Sequence, residues 1–196
     1  LSSRTMRSLI ILLLSLVALV LAAPSAPQWP PAFSATVWLD THGQGHDTIF
    51  RWFYDEDLQQ ERRDTTVEWE YDTYLASFIS DYPSGTEYKV YYQGDTVACL
   101  SNDIQNTIPI PQFDQFQYVG VSLVNYQQCY HWSARTNDTL YQLFDRVSDR
   151  EIVKYEILEN DGRQETWSFW EFDEGSQDPS LFVLDDPIYD ICYTAN

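Results

Sequence analysis

Lysine is nearly missing from this 196-residue chain. Lys89 and Lys154 are the only two, and all Lys and Arg number 11 against 30 Asp and Glu, for a formal charge of −19. Phosphate recognition needs clustered basic side chains, so nucleic acid is excluded as a partner and anionic membrane surfaces are disfavoured. Repeats and linker-like tracts are also missing, and the length suits one domain. A single long apolar run extends from Leu9 to Leu21, broken only by Ser15. It falls short of the ~20 residues that a membrane-spanning helix needs, so stable membrane insertion is not expected. Arg4 and Arg7 precede it and Ala22-Ala-Pro-Ser-Ala-Pro27 closes it with small residues, the pattern of a secretory signal peptide. The expected division is residues 1–23 as signal peptide and 24–196 as one domain, secreted to the extracellular space. Loss of the leader removes two arginines and no acid, leaving the chain still more acidic.

Catalytic signatures are equally scarce. No Gly-x-Ser-x-Gly elbow, phosphate loop or His-Glu-x-x-His occurs, and histidines number three, at His42, His46 and His131. None of the three cysteines sits in a papain-like context. Paired carboxylates abound, but among 30 acids any one pair reads as surface charge. The chain is therefore expected not to be an enzyme, with no catalytic residues. Asp40-Thr-His-Gly-Gln-Gly-His-Asp47 could gather ligands for a transition ion if it forms a hairpin loop, yet it reads more simply as a glycine-rich turn, and no metal site is assigned. Calcium wants several oxygens and no twelve-residue calcium loop is present. Weak, diffuse calcium binding driven by net charge is expected instead, with no dedicated cofactor.

Cys99, Cys129 and Cys192 are an odd set, so at most one intramolecular bridge forms, and the residues alone leave its partners open. Asn137-Asp-Thr139 is the one glycosylation sequon, which predicts a surface loop at Asn137.

What the chain has in quantity is aromatic residues, 16%, on sequences of period two. Residues 35–40 and 48–54 read as a hairpin, and Thr66-Val-Glu-Trp-Glu-Tyr71 places Val67, Trp69 and Tyr71 on one face. Glu87-Tyr-Lys-Val-Tyr-Tyr92 repeats the pattern with Tyr88, Val90 and Tyr92. Further strands are predicted at 117–124, 129–134, 139–144, 152–158 and 165–172, with turns at Tyr82-Pro-Ser-Gly85, Gln93-Gly-Asp95 and Asn160-Asp-Gly162. Short helical turns are expected near 58–63 and 100–107. The alternation gives each strand one wet and one apolar face. Large rings with polar tips suit either a compact core or the wall of a cavity.

Ordered motifs tip that balance. Pro31-Ala-Phe-Ser-Ala-Thr-Val37 is followed by Tyr54-Asp55 and Arg62-Arg-Asp64, then Cys99, Ile108-Pro-Ile-Pro111, Tyr118-Val-Gly120 and Trp132. The series closes with Asp178-Pro-Ser-Leu-Phe182, Pro187 and Cys192. Together they resemble the ependymin-related proteins and the wider group that shares the fold of the bacterial lipoprotein carriers, the LolA-like fold. Cys129-Tyr-His-Trp132 is closer to the amino-terminal domain of some protist papain-like proteases.

The resemblance implies a mainly β protein, with curved antiparallel sheets forming a half-open barrel around an apolar pocket and short helical insertions. It also implies a disulfide between Cys99 and Cys192; Cys129, without a counterpart in the animal ependymins, leaves a Cys99–Cys129 bridge as the competitor. The expected function is non-enzymatic binding of a fatty acid or other lipid, with a homodimer as a further possibility. Candidate pocket residues are Trp38, Phe50, Trp52, Trp69, Tyr88, Val90, Tyr118, Trp132, Tyr155, Trp167 and Phe169. Two other readings stand beside it: an acidic extracellular glycoprotein acting in adhesion or matrix, and the regulatory amino-terminal domain of a protease precursor.

Overall fold

A computed structural model describes residues 23–42, 47–69 and 72–194. The segment up to Ala22, where a signal peptide is expected, His46, Tyr71 and the side chain of Trp69 lie outside the described residues. The strands are β1 (Ala32–His42), β2 (Asp47–Asp55), β3 (Gln60–Trp69), β4 (Asp72–Asp81), β5 (Thr86–Gln93) and β6 (Thr96–Asp103), then β7 (Gln117–Val124), β8 (Gln127–Arg135), β9 (Thr139–Arg146), β10 (Ile152–Glu159) and β11 (Gln164–Glu174). A 3-10 turn (Pro179–Phe182), a one-turn helix α1 (Asp186–Tyr189) and β12 (Tyr193–Thr194) follow.

The strands form one sheet in the order β12-β6-β5-β4-β3-β2-β1-β11-β10-β9-β8-β7. Every neighbouring pair is antiparallel except β12 on β6, which is parallel. Two meanders, β1–β6 and β7–β11, are therefore joined side by side through β1 and β11, with Val37 opposite Phe169. The residues after β6 must carry the chain from one end of this array to β7 at the other. Ten inter-strand steps would separate those ends by about 48 Å in a flat sheet, close to the full reach of the connecting segment. That segment also dips to bury Ile108 and Phe113 in the core, so it can span the ends only because the sheet curls. It lies across the concave face as a strap, held extended by Pro109 and Pro111, and the Tyr54 hydroxyl donates to the Pro109 carbonyl at 3.3 Å.

The expected half-open barrel is thus present as one curved, open sheet. Two expectations fail. Residues 58–63 are not helical, because the turn at 56–59 runs straight into β3 at Gln60; and β6 extends through Asp103, with no helix among 104–107. In both places cross-strand pairing, Arg62 with Ile79 and Leu100 with Lys89, overrides local helix preference.

A second strap covers the convex face. After β11 the chain crosses β3–β6: Gln177 N–H donates to Asp55 at 3.0 Å, and Arg62 donates to the Leu181 carbonyl at 2.9 Å. Phe182 is buried, Tyr189 packs on Tyr88, and Cys192 is bonded to Cys99. Ile79, Val90 and Cys99 are consequently buried on the convex face, beneath this strap. The Cys99–Cys192 disulfide is as the resemblance implies. Cys129 is free and buried, and its burial pushes the thiol pKa up.

Candidate functional site

Residues paired across antiparallel strands share a face, which sorts the aromatic side chains. The concave face carries Phe33, Ala35 and Val37 of β1, Phe50, Trp52 and Tyr54 of β2, Phe169 and Trp167 of β11, Tyr155 of β10, Leu143 of β9 and Trp132 of β8. Over β1, β2 and β8–β11 this face is filled by the chain itself. Trp29 inserts among Phe33, Trp52, Tyr54, Phe113 and Phe169 with ring centroids 5.3–6.4 Å apart. Phe113 meets Phe116 and Tyr155 from the strap side. Such edge-on and tilted contacts add to simple area burial.

Polar anchors fix this plug. Asp145, almost fully buried, accepts from Trp132 Nε1 at 2.5 Å and from Arg150. Arg150 also grips the Ser25 carbonyl and hydroxyl, each at 3.0 Å, so the segment that delivers Trp29 is tied to β9. Desolvation pushes the Tyr54 and Tyr155 hydroxyls up to about 12.

Over β3–β6 the same face is open. A groove of about 430 Å³ is lined by Val67, Tyr74, Tyr91, Val97, Ala98 and Leu100, with Gln93 and Thr96 at its outer end. Phe78, on the same face, packs edge-on against Tyr91. At the inner end stands a set of charges on the same face: Lys89, directly opposite Leu100, lies 3.1 Å from Glu87, and Arg63 lies 4.0 Å from Glu87 and 3.9 Å from Glu61. Glu61 is buried and accepts from Trp52 Nε1 and the Tyr82 hydroxyl, both at 3.0 Å. Burial and the Glu61 charge push the Tyr82 pKa up. Arg63 Nε is buried without a hydrogen-bond partner. The groove is therefore an apolar trough that ends at two cations and two carboxylates, with one donor unspent.

A larger depression of about 660 Å³ opens on the convex face, where Ile49, Leu75 and Tyr92 are interleaved with Thr36, Arg51, Arg62, Asp64, Thr66 and Ser77. Its lining mixes apolar side chains with the charged Arg51, Arg62 and Asp64, whereas the trough is lined by no charged residue.

Of the residues predicted for the pocket, Phe50, Trp52, Trp132, Tyr155, Trp167 and Phe169 gather on the concave face, in its filled part, and Tyr118 packs on Trp132 at its rim. Trp38, Tyr88 and Val90 point to the convex face: Trp38 stacks on Trp170, and Tyr88 and Val90 lie under the second strap. Val67 is the predicted apolar-face residue that reaches the groove. Tyr74, Phe78, Tyr91, Leu100, Arg63 and Lys89 were missed, although Tyr91 and Lys89 alternate with residues that were singled out on β5. Asn137 is exposed in the turn between β8 and β9. His42 contacts Asp40 at 3.1 Å and Thr166 at 3.3 Å. Among the described residues no three His, Cys, Asp or Glu converge to hold a metal ion, and no helix is long and apolar enough to cross a membrane.

No protein-family model and no curated protein matches the chain. Solved structures do. An uncharacterized conserved protein from Thermus thermophilus superposes with a TM-score of 0.53 at 10% identity, over 85% of this chain and 91% of that one. A chain of the Pseudomonas aeruginosa MucA/MucB complex gives 0.45 at 11% identity, over 79% of this chain and 56% of that one. A LolA superfamily protein from Nitrosomonas europaea gives 0.35 at 8% identity, over 80% of this chain and 92% of that one. These are likenesses of fold. A LolA superfamily protein thus stands among the weaker structural neighbours, beside the Thermus thermophilus likeness of fold.

Proposed function

We propose that this chain is a secreted, non-enzymatic binding protein that holds a long-chain lipid with an acidic head, such as a fatty acid, in the open part of its concave face. The observation that carries the reading is the trough on β3–β6, whose apolar walls end at Lys89 and Arg63. Its volume falls within the roughly 300–1,000 Å³ of small-molecule sites, and a few polar groups at one end of an apolar wall orient a ligand of this kind. The overall charge repels free anions, so affinity rests on apolar burial, and the head is accommodated locally by displacing Glu87 from its two cations. Non-enzymatic action is supported by the pairing of the charged groups in the trough, which leaves no acid and base poised against a substrate. Secretion is supported by the leader-like start and by the disulfide, which persists in oxidising compartments.

Extraction of the purified chain followed by mass spectrometry tests the reading, together with titration by a fluorescent fatty acid. Bound fatty acid at about one per chain, and at least tenfold weaker titration in Leu100→Glu, are the expected results. A lipid-free chain that binds neither oleate nor its probe would end it.

A further inference from the structure

Beside the second strap the convex face is open, and the cross-strand register sets its side chains in two rows. One row is Trp38, Ile49, Thr66, Leu75 and Tyr92, on successive strands from β1 to β5. The other is Trp170 on β11 followed by Thr36, Arg51, Asp64 and Ser77 on β1 to β4. Four inter-strand steps give each row a length of about 19 Å. The first is mainly apolar, with Ile49 61% and Leu75 64% exposed; the second is polar beyond its indole. Both rows start at the same place, because Trp38 and Trp170 stack with centroids 6.1 Å apart and planes 18° apart, each more than a third exposed. The depression of about 660 Å³ takes in the rest of both rows.

The polar row is held in place before any ligand arrives. Arg62 donates to Asp64 at 2.8 Å and to Ser77 at 3.4 Å. Arg51 donates to Ser34 at 2.7 Å, to Thr36 at 3.3 Å and to the Glu171 carbonyl at 3.1 Å, and the Thr36 hydroxyl donates to the Glu171 carboxylate at 2.7 Å. Glu171 has a left-handed backbone, φ 49°, in the bulge where the register passes from Ser34/Asp173 to Thr36/Trp170. Bulges re-aim side chains, and this one sets the neighbouring Trp170 against Trp38.

We infer that this two-row depression is a second binding site, for a neutral oligosaccharide laid across the strands. The chemistry of the rows selects the occupant. A sugar ring has an apolar C–H face, which meets the negative face of an indole favourably, and a rim of hydroxyls that need partners. Trp38, Ile49 and Leu75 offer the first kind of surface; Thr36, Arg51, Asp64 and Ser77 offer the second. A lipid tail would leave the polar row desolvated and unmatched, at a cost. An ionic ligand finds no spare counter-charge, since Arg62 is paired with Asp64 at 2.8 Å and Arg51 lies 3.7 Å from Glu171. Protein interfaces are depleted of acids at their core, whereas Asp64 stands in the middle of this floor. The volume falls in the roughly 300–1,000 Å³ range of small-molecule sites. This site is on the opposite side of the sheet from the trough, so its occupancy is independent of the lipid reading.

Calorimetric titration with cellopentaose, mannopentaose and chitopentaose tests this, with saturation-transfer NMR on the same three sugars. At least one is expected to bind with a Kd of about 1 mM or tighter, and its ring C–H protons to receive saturation from the protein. Trp170→Ala and Leu75→Asp, both at exposed positions, are each expected to weaken that binding about tenfold or more, Leu75→Asp with an unchanged melting temperature. Leu100→Glu, in the trough, is expected to leave it intact, and oleate not to compete. The inference is overturned if none of the three sugars binds, if binding is indifferent to both Trp170→Ala and Leu75→Asp, or if it is lost in Leu100→Glu. Tighter binding of an anionic oligomer such as pentagalacturonate would overturn it as well, because it would mean that charge and not the paired rows selects the ligand.

Discussion

One concave face serves two purposes in this molecule. Over β1, β2 and β8–β11 it is packed by Trp29 from the amino-terminal side and by Ile108 and Phe113 from the strap, with the buried Asp145 and Arg150 holding the pieces together. Over β3–β6 the same face is uncovered, and what fills it is a trough with a charged end. The first region resembles the core of any small domain. The second owes its order to the opposite side of the sheet, where the carboxy-terminal strap and the disulfide bury Ile79, Val90 and Cys99. A sheet braced from behind can leave its front open, which is what a binding site needs.

Mutations separate the two regions most strongly by stability. Trp52→Ala removes a ring that touches Trp29, Phe33, Phe50, Tyr54 and Trp167, and strips the buried Glu61 of one donor. A loss of about 3–5 kcal/mol is expected in urea denaturation. Replacing Cys99 and Cys192 together by Ala frees a loop of 93 residues and should cost about 2–4 kcal/mol. Its signature is local: amides of β5 and β6 lose protection before those of β1 and β11, and equal loss across the sheet would contradict the bracing role.

Alkaline titration probes the packed region without a mutation. Tyr54 and Tyr155 have pKa values raised to about 12 by desolvation. A raised value means that the unfolded chain ionises first, so the stabilisation is complete below about pH 10 and is lost as pH rises from there through about 12. Absorbance near 295 nm should therefore show a late tyrosinate step coincident with loss of near-UV circular dichroism. A step that precedes unfolding would place these hydroxyls in water.

The smallest effect on stability is expected where the effect on binding is largest. Ala98→Trp sets a large ring into the trough at an exposed position; the change in stability should stay within about 0.5 kcal/mol, while fatty-acid titration is abolished.

How far the sequence revealed these regions depended on which faces were covered. Strands β1, β7, β8, β9, β10 and β11 were legible because their alternation is clean or their ends carry turn residues. β4 and β6 were not: Leu75, Phe78 and Ile79 put apolar residues on both faces, since the convex side is roofed by a segment far away in the chain. The same roof misdirected β5, where Tyr88 and Val90 look like the core side and Lys89 and Tyr91 face the trough. Trp29, the centre of the filled region, lies in Pro27-Gln-Trp-Pro30, which has no period to betray burial. The disulfide was legible only through resemblance, because three cysteines by themselves permit more than one pairing.

The division of the concave face stands or falls on where the ligand sits, and photo-crosslinking answers that directly. A fatty acid bearing a diazirine at its methyl end, irradiated on the folded chain and followed by peptide mapping, is predicted to label Val67, Tyr74, Tyr91 or Ala98. Labelling concentrated on Trp132, Tyr155 and Trp167 would show instead that the filled half opens to receive the ligand, and would contradict that division.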